Sequence, residues 1–300
     1  MNATVTNAAD FQAARARWVE LFESGEFEQA LELVEQALPW AAASGDTVLY
    51  DRARCNRAAI ALELGRGGDF APLLREVLMR NEDAENSFLA AYTIARHYEL
   101  RKESKKGLFY AQVASDRAAA LDAARQASSR NHIANLLVAE SRFAEAAEIY
   151  RQALAMLPSR HELRGAVIAY NLGYCEVMVG RVREGLRELY ASLRALLGLG
   201  AARHEMKARL DRAFALLEAG EAVRAERHAA RAERLAERFA DREAQKNALY
   251  LRGAAAQARG DRFAARGHFE RLQAGFYPDA EYLPELLSQV DVRSLVNLKA

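Results

Sequence analysis

Apolar positions recur along this chain at helical spacing, three and four residues apart, in paired blocks broken by short polar turns. No stretch alternates apolar and polar with the period of two that a half-buried strand requires, so the pattern predicts an all-α fold. Each block has two apolar helices separated by a Gly or small residue. An aromatic or apolar residue follows the turn, with Ala or Gly three positions later. The block repeats about every 40 residues, about seven times, between residues 11 and 279.

The clearest copy reads Ala169-Tyr170-Asn171-Leu172-Gly173, then Gly180, Val182, Gly185 and Leu189. Another reads Ile133-Ala134, then Ser141, Phe143, Ala146, Tyr150 and Ala153, and closes on Pro158. The first copy reads Leu21, Gly25, Phe27, Ala30, Val34 and Ala37; the last reads Leu249, Gly253, Gly260, Ala265 and Phe269, closing on Tyr277-Pro278. Small residues fit where two helices cross closely, and large ones such as Phe143 and Tyr150 fill the space between pairs. Glycine at the turn supplies the left-handed conformation that ends a helix. Proline stops the second helix. One pair cannot bury its apolar face alone, so the pairs must stack into a continuous solenoid.

These motifs resemble the tetratricopeptide repeat family over roughly nine-tenths of the chain. The resemblance implies a right-handed α-solenoid with a concave binding face, and a non-catalytic scaffold for a protein or peptide. Three features depart from the family pattern. The spacing is nearer 40 than about 34 residues, Trp18 stands where a small residue is usual, and Gly65-Arg66-Gly67-Gly68 interrupts the second copy. In this family the first helix of each pair lines the concave face. Carrying that register over places Tyr92, Arg96, Asn131, Asn135, Tyr170, Asn171, Tyr174, Lys207, Asp211, Phe214, Asn247 and Tyr250 inward, with Asn56 as an addition. Asparagine is a poor helix former, about 0.5 kcal/mol worse than alanine. Its amide both donates and accepts, so an asparagine series fits capture of an extended peptide backbone. The competing reading is that these asparagines cap loops or bond between neighbouring helices.

Composition narrows the function. A net charge of +1 exerts no global pull towards nucleic acid or membrane, and disfavours a nucleic-acid partner. No run of apolar residues is long enough to span a bilayer, and residues 1–10 read as a flexible tail rather than a signal peptide. Cys55 and Cys175 lie about three repeats apart, too far to bridge, which suggests reduced thiols and a cytoplasmic protein. The six histidines form no metal-binding spacing, the glycine clusters lack the lysine of a phosphate loop, and no nucleophile pairs with a base. No metal, cofactor or catalytic activity is therefore expected. Only six of the 42 basic residues are lysine, a bias expected of a GC-rich bacterial coding sequence.

Two segments stand apart. Arg224, Arg227, Arg231, Arg234 and Arg238 form a stripe along one helix. It reads as a solvated face balanced by Glu226, Glu233, Glu237, Glu184, Glu188 and Glu270, or as a dock for an acidic protein or nucleic acid. Beyond Pro278 the period stops, and residues 280–300 carry Leu286, Leu287, Val290, Val292, Leu295, Val296 and Leu298. That segment is expected to cap the last pair, or else to dock on a second protomer and make a homodimer. The reading as a whole is a peptide-binding adaptor or regulatory scaffold. Its rival is a ligand-sensing regulator that acts on a transcription or signalling partner, because no DNA-binding helix pair precedes the repeats.

Overall fold

The computed structural model describes residues 5–66 and 68–299. The first four residues of the expected tail, Gly67 of the glycine cluster and Ala300 of the last segment lie outside the described residues. Helix replaces the tail from Ala8 onward, because Asn7 caps it by accepting from the Asp10 N–H at 2.9 Å.

The chain forms two compact units, residues 1–136 and 137–300. The first unit holds α1 (Ala8–Ser24), α2 (Phe27–Ala43), α3 (Thr47–Glu63), α4 (Ala71–Arg80), α5 (Ala84–Leu100), α6 (Ser104–Ala118) and most of α7 (Ala123–Ala139). The second holds the end of α7, then α8 (Phe143–Ala155), α9 (Leu163–Met178), α10 (Val182–Gly198), α11 (Ala202–Glu218), α12 (Ala222–Arg238), α13 (Arg242–Ala258), α14 (Arg262–Phe276) and α15 (Leu283–Gln289). No described residue is in a strand. Helices α1 to α14 follow one another in the order expected of seven helix–turn–helix repeats, and α1 packs on α2, α5 on α6, α9 on α10, α11 on α12 and α13 on α14.

Every pair turns the same way. A residue one or two positions past the end of the first helix takes a left-handed φ in all seven: Gly25, Gly65, Lys102, Ser141, Gly180, Gly220 and Gly260. The next N–H then reaches back five residues, as in Glu26 to the Leu21 carbonyl and Arg181 to the Glu176 carbonyl, both at 2.8 Å. This closure satisfies carbonyls that a helix end otherwise leaves unpaired. Lys102 and Ser141 make the same turn without glycine.

Small residues set the helix crossings. A Cβ on Gly185 of α10 would lie 2.6 Å from the Gly173 carbonyl oxygen of α9, and one on Gly253 would lie 2.2 Å from the Phe269 ring. In the first unit, Trp18 is fully buried and meets Phe11 edge-on at 5.5 Å and Trp40 through Phe11. The bulky residue therefore fills the end of that unit's core. Both cysteines are free and buried, and burial pushes each thiol up to about 12.

Candidate functional site

In the second unit α9, α11 and α13, each the first helix of its pair, lie side by side. They carry most of the candidate residues. Tyr170, Asn171, Tyr174, Asp211, Phe214 and Tyr250 are buried, Asn247 is half-buried and Lys207 is exposed. Tyr174 stacks obliquely on Phe214 at 5.9 Å and meets Phe143 edge-on at 6.1 Å.

These residues are occupied by the chain's own last segment. Helix α15 packs against α14, and Gln257 of α13 donates to the Ser288 carbonyl at 3.0 Å. From Val290, in extended conformation, the chain turns back across the first-helix face. A short 3-10 turn, Arg293–Leu295, holds Arg293 against the end of α11: its guanidinium donates to the Leu217 carbonyl at 2.9 Å and lies 3.4 Å from Glu218.

The last described residues are held more closely. The Asn297 amide donates to the Val138 carbonyl at 2.7 Å and to the Ser141 hydroxyl at 3.3 Å, and accepts from the Tyr174 hydroxyl at 3.2 Å. The Leu298 N–H donates to the Tyr174 hydroxyl at 3.0 Å, and its carbonyl accepts from the Asn247 amide at 2.9 Å. The Lys299 ammonium donates to the side-chain amide oxygen of Asn171 at 2.8 Å and stands 2.7 Å from Asp211 Oδ2. It also lies over the Tyr170 and Tyr174 rings, at 5.1 and 4.8 Å from their centroids. Each first helix represented in this unit, from the end of α7 to α13, thus contributes to holding Asn297, Leu298 or Lys299.

Burial pushes the Asp211 carboxyl above the usual carboxylate range, and Lys299 pulls it part of the way back. Burial also raises the Tyr174 and Tyr250 hydroxyls. Among the described residues the Tyr250 hydroxyl has no hydrogen-bond partner, although the charges of Asp291, Arg293 and Glu218 all bear on it.

The first unit arranges its candidates differently. Arg96 lies between two carboxylates, with Nε 2.8 Å from Glu63 and a terminal nitrogen 2.7 Å from Glu99. His132 meets the same Glu99 at 3.1 Å, and Tyr92 packs on the His132 ring at 4.7 Å. Asn131 and Asn135 are half-buried on α7. Asn56 turns back to its own helix and donates to the Arg52 carbonyl at 2.8 Å. A charged cluster that sequence reading missed sits nearby. Glu85 of α5 accepts Arg15 of α1 at 2.6 Å and also pairs with Arg52 of α3 and Arg125 of α7. Nothing in the local sequence marks Glu85, because its three partners come from three other helices.

The stripe on α12 is exposed at all five arginines. The carboxylates expected to balance it are mostly engaged elsewhere: Glu226 with Arg252, Glu233 with Arg252 and Arg271, Glu184 with Arg187, Glu188 with Arg160 and Glu270 with Arg266. The stripe itself pairs Arg224 with Glu221 and Arg231 with Glu205, the latter at 3.6 Å. Among the described residues no group of three or more His, Cys, Asp or Glu could hold a metal ion, and no helix is long and apolar enough to cross a membrane.

No protein-family model matches the sequence, and no curated protein matches it. Solved structures do. A Rap protein in complex with competence and sporulation factor superposes with a TM-score of 0.72 at 13% identity, over 89% of this chain and 77% of that one. The apo form of RapI gives 0.61 at 10%, over 88% and 76%. BtubC from P. vanneervenii gives 0.56 at 16%, over 77% and 93%. The fold is therefore that of tetratricopeptide-like helical repeat proteins.

Proposed function

We propose that this chain is a non-catalytic, cytoplasmic peptide-binding adaptor or regulator, and that the first-helix face of its second unit is the peptide site. One observation carries the reading: that face already holds a stretch of backbone and side chains, residues 297–299, through Tyr174, Asn171, Asp211 and Asn247. The Asn247 amide and the Tyr174 hydroxyl contact the main-chain carbonyl and N–H of Leu298, which tolerates varied side chains at that one position of the ligand. In the first unit, Tyr92, Arg96, Asn131 and Asn135 are proposed as that unit's own ligand contacts.

Among proteins of similar fold, one is a Rap protein bound to competence and sporulation factor, and another is the Rap conjugation gene regulator of plasmid pLS20 bound to the Phr* peptide. These support a ligand-sensing regulator as the form the adaptor takes. The test is a tagged pulldown from native lysate with wild type and an Asn171→Ala/Asn247→Ala variant, read by mass spectrometry. A partner lost only by the variant supports the face; partners retained by both place binding elsewhere.

A second reading rests on the arginine stripe, whose expected carboxylate partners are engaged elsewhere. There an acidic partner would dock on α12. Its binding would fall steeply with ionic strength and would be lost in Arg227→Ala/Arg231→Ala.

A further inference from the structure

Resting on the reading of this face as a peptide site, we propose that it is selective for a lysine-bearing peptide with an asparagine two residues before the lysine. Residues 297–299 are its resident occupant, and a partner peptide must displace them.

The lysine socket is built for a compact ammonium. Asp211 is 3% exposed, Asn171 6%, Tyr170 4% and Tyr174 0%, and all four converge on the Lys299 ammonium. The ammonium has three N–H donors. Two oxygens accept from it or balance its charge, and two aromatic faces cover it. A neutral side chain here would remove the ammonium that stands 2.7 Å from a buried carboxylate, so the socket discriminates by charge as well as by length.

The asparagine socket lies two residues back along the ligand. The Asn297 amide meets the Val138 carbonyl, the Ser141 hydroxyl and the Tyr174 hydroxyl, so its donor and acceptor sides are both engaged. Its carbonyl oxygen also accepts the Lys299 N–H at 3.0 Å, which bends the chain and brings both side chains onto the same face. Between them Leu298 is buried and its main chain is read from both sides. Tyr174 is shared by the two sockets, which couples the asparagine to the lysine.

The same segment is poorly held between its anchors. Ser294 and Leu295 are exposed, Leu295 at 83%, and the segment is fastened mainly at Arg293 and at residues 297–299. A tethered occupant competes at an effective concentration near the millimolar range, so a free peptide binds the intact chain weakly until the tether is disengaged.

The probe is a fluorescein-labelled synthetic peptide of residues 290–299, read by anisotropy against the full chain. Wild type is compared with Asn297→Ala/Lys299→Ala, in which the resident anchors are removed. The expected result is at least about 10-fold tighter binding to the double variant. That gain is lost when Asp211→Asn is added, or when the peptide carries norleucine in place of its lysine. Equal affinity of wild type and double variant overturns the resident occupant. Equal affinity of the lysine and norleucine peptides overturns the lysine socket and leaves the peptide face standing. If no peptide binds to a double variant that keeps native circular dichroism and a cooperative melt, the peptide face falls as well. Should the double variant fail to fold, Asn297→Ala alone, which keeps the Lys299–Asp211 pair, carries the same comparisons.

Discussion

The Lys299 ammonium stands 2.7 Å from Asp211 Oδ2, 88 positions away in sequence, and each residue accounts for the environment of the other. Asp211 is buried on α11, where a lone carboxylate is costly. Lys299 supplies the cation from a segment that has crossed the face of the unit. Removing one partner of such a pair costs more than the pair itself contributes. Lys299→Met is therefore expected to destabilise the chain by about 3 kcal/mol at pH 7. Without Lys299 the carboxyl titrates still higher, above its unfolded value. A carboxyl raised by folding penalises the folded state above that pKa, so the loss should shrink as pH falls. Urea unfolding at pH 7 and pH 5 checks this, and Asp211→Asn/Lys299→Met should recover much of the loss.

His228 of α12 gives a second pH dependence, with the opposite trend. Burial, together with Arg212, Arg209 and Arg224, depresses its imidazole to about 4 from an ordinary 6.5. The unfolded chain binds a proton at 6.5 that the folded chain refuses until about 4. The stability associated with a neutral His228 is complete above pH 6.5 and is lost between 6.5 and about 4. His228→Gln should flatten that part of the melting-temperature profile.

The close crossing of α9 and α10 predicts a sharp response to one methyl group. In Gly185→Ala the new Cβ meets backbone oxygen at 2.6 Å and the Val177 side chain at 2.5 Å, neither of which yields without moving a helix. The expected cost is about 1–3 kcal/mol in thermal unfolding. Gly267→Ala, where the Cβ meets nothing within 4 Å, serves as the control and should be neutral or stabilising.

Lys102 holds a left-handed φ of 59° at a turn where five of the seven equivalents are glycine. Lys102→Gly removes that strain at an exposed site. It should raise stability by up to about 1 kcal/mol, less the entropy that glycine adds to the unfolded chain. A drop in melting temperature would show that the strain is negligible.

Much of this was legible in sequence because it is local. Gly25, Gly180 and Gly260 announced their turns, and the small-residue pairs announced the crossings, since both obey short-range geometry. The first-helix register placed Tyr170, Asn171, Tyr174, Asp211 and Asn247 as a set, and the structure brings them together. What covers them was not legible. The apolar residues of 280–300 suggested a cap or a docking segment; of these Leu287 and Leu298 are buried, while Leu286, Val290 and Leu295 are exposed. Asn297 and Lys299, which make the specific contacts, look like ordinary polar residues until the chain is folded back. Glu85 escaped notice for the same reason, because its environment is assembled from three distant helices.

Hydrogen exchange at the Leu298 and Lys299 amides tests the central claim most directly. Their N–H groups donate to the Tyr174 hydroxyl and to Asn297 in the free chain. The account predicts that both amides are protected in the chain alone, and that an excess of the unlabelled peptide of residues 290–299 abolishes their protection while α9 stays protected. Rapid exchange of both amides in the free chain, or protection that the peptide leaves unchanged at saturation, would contradict it.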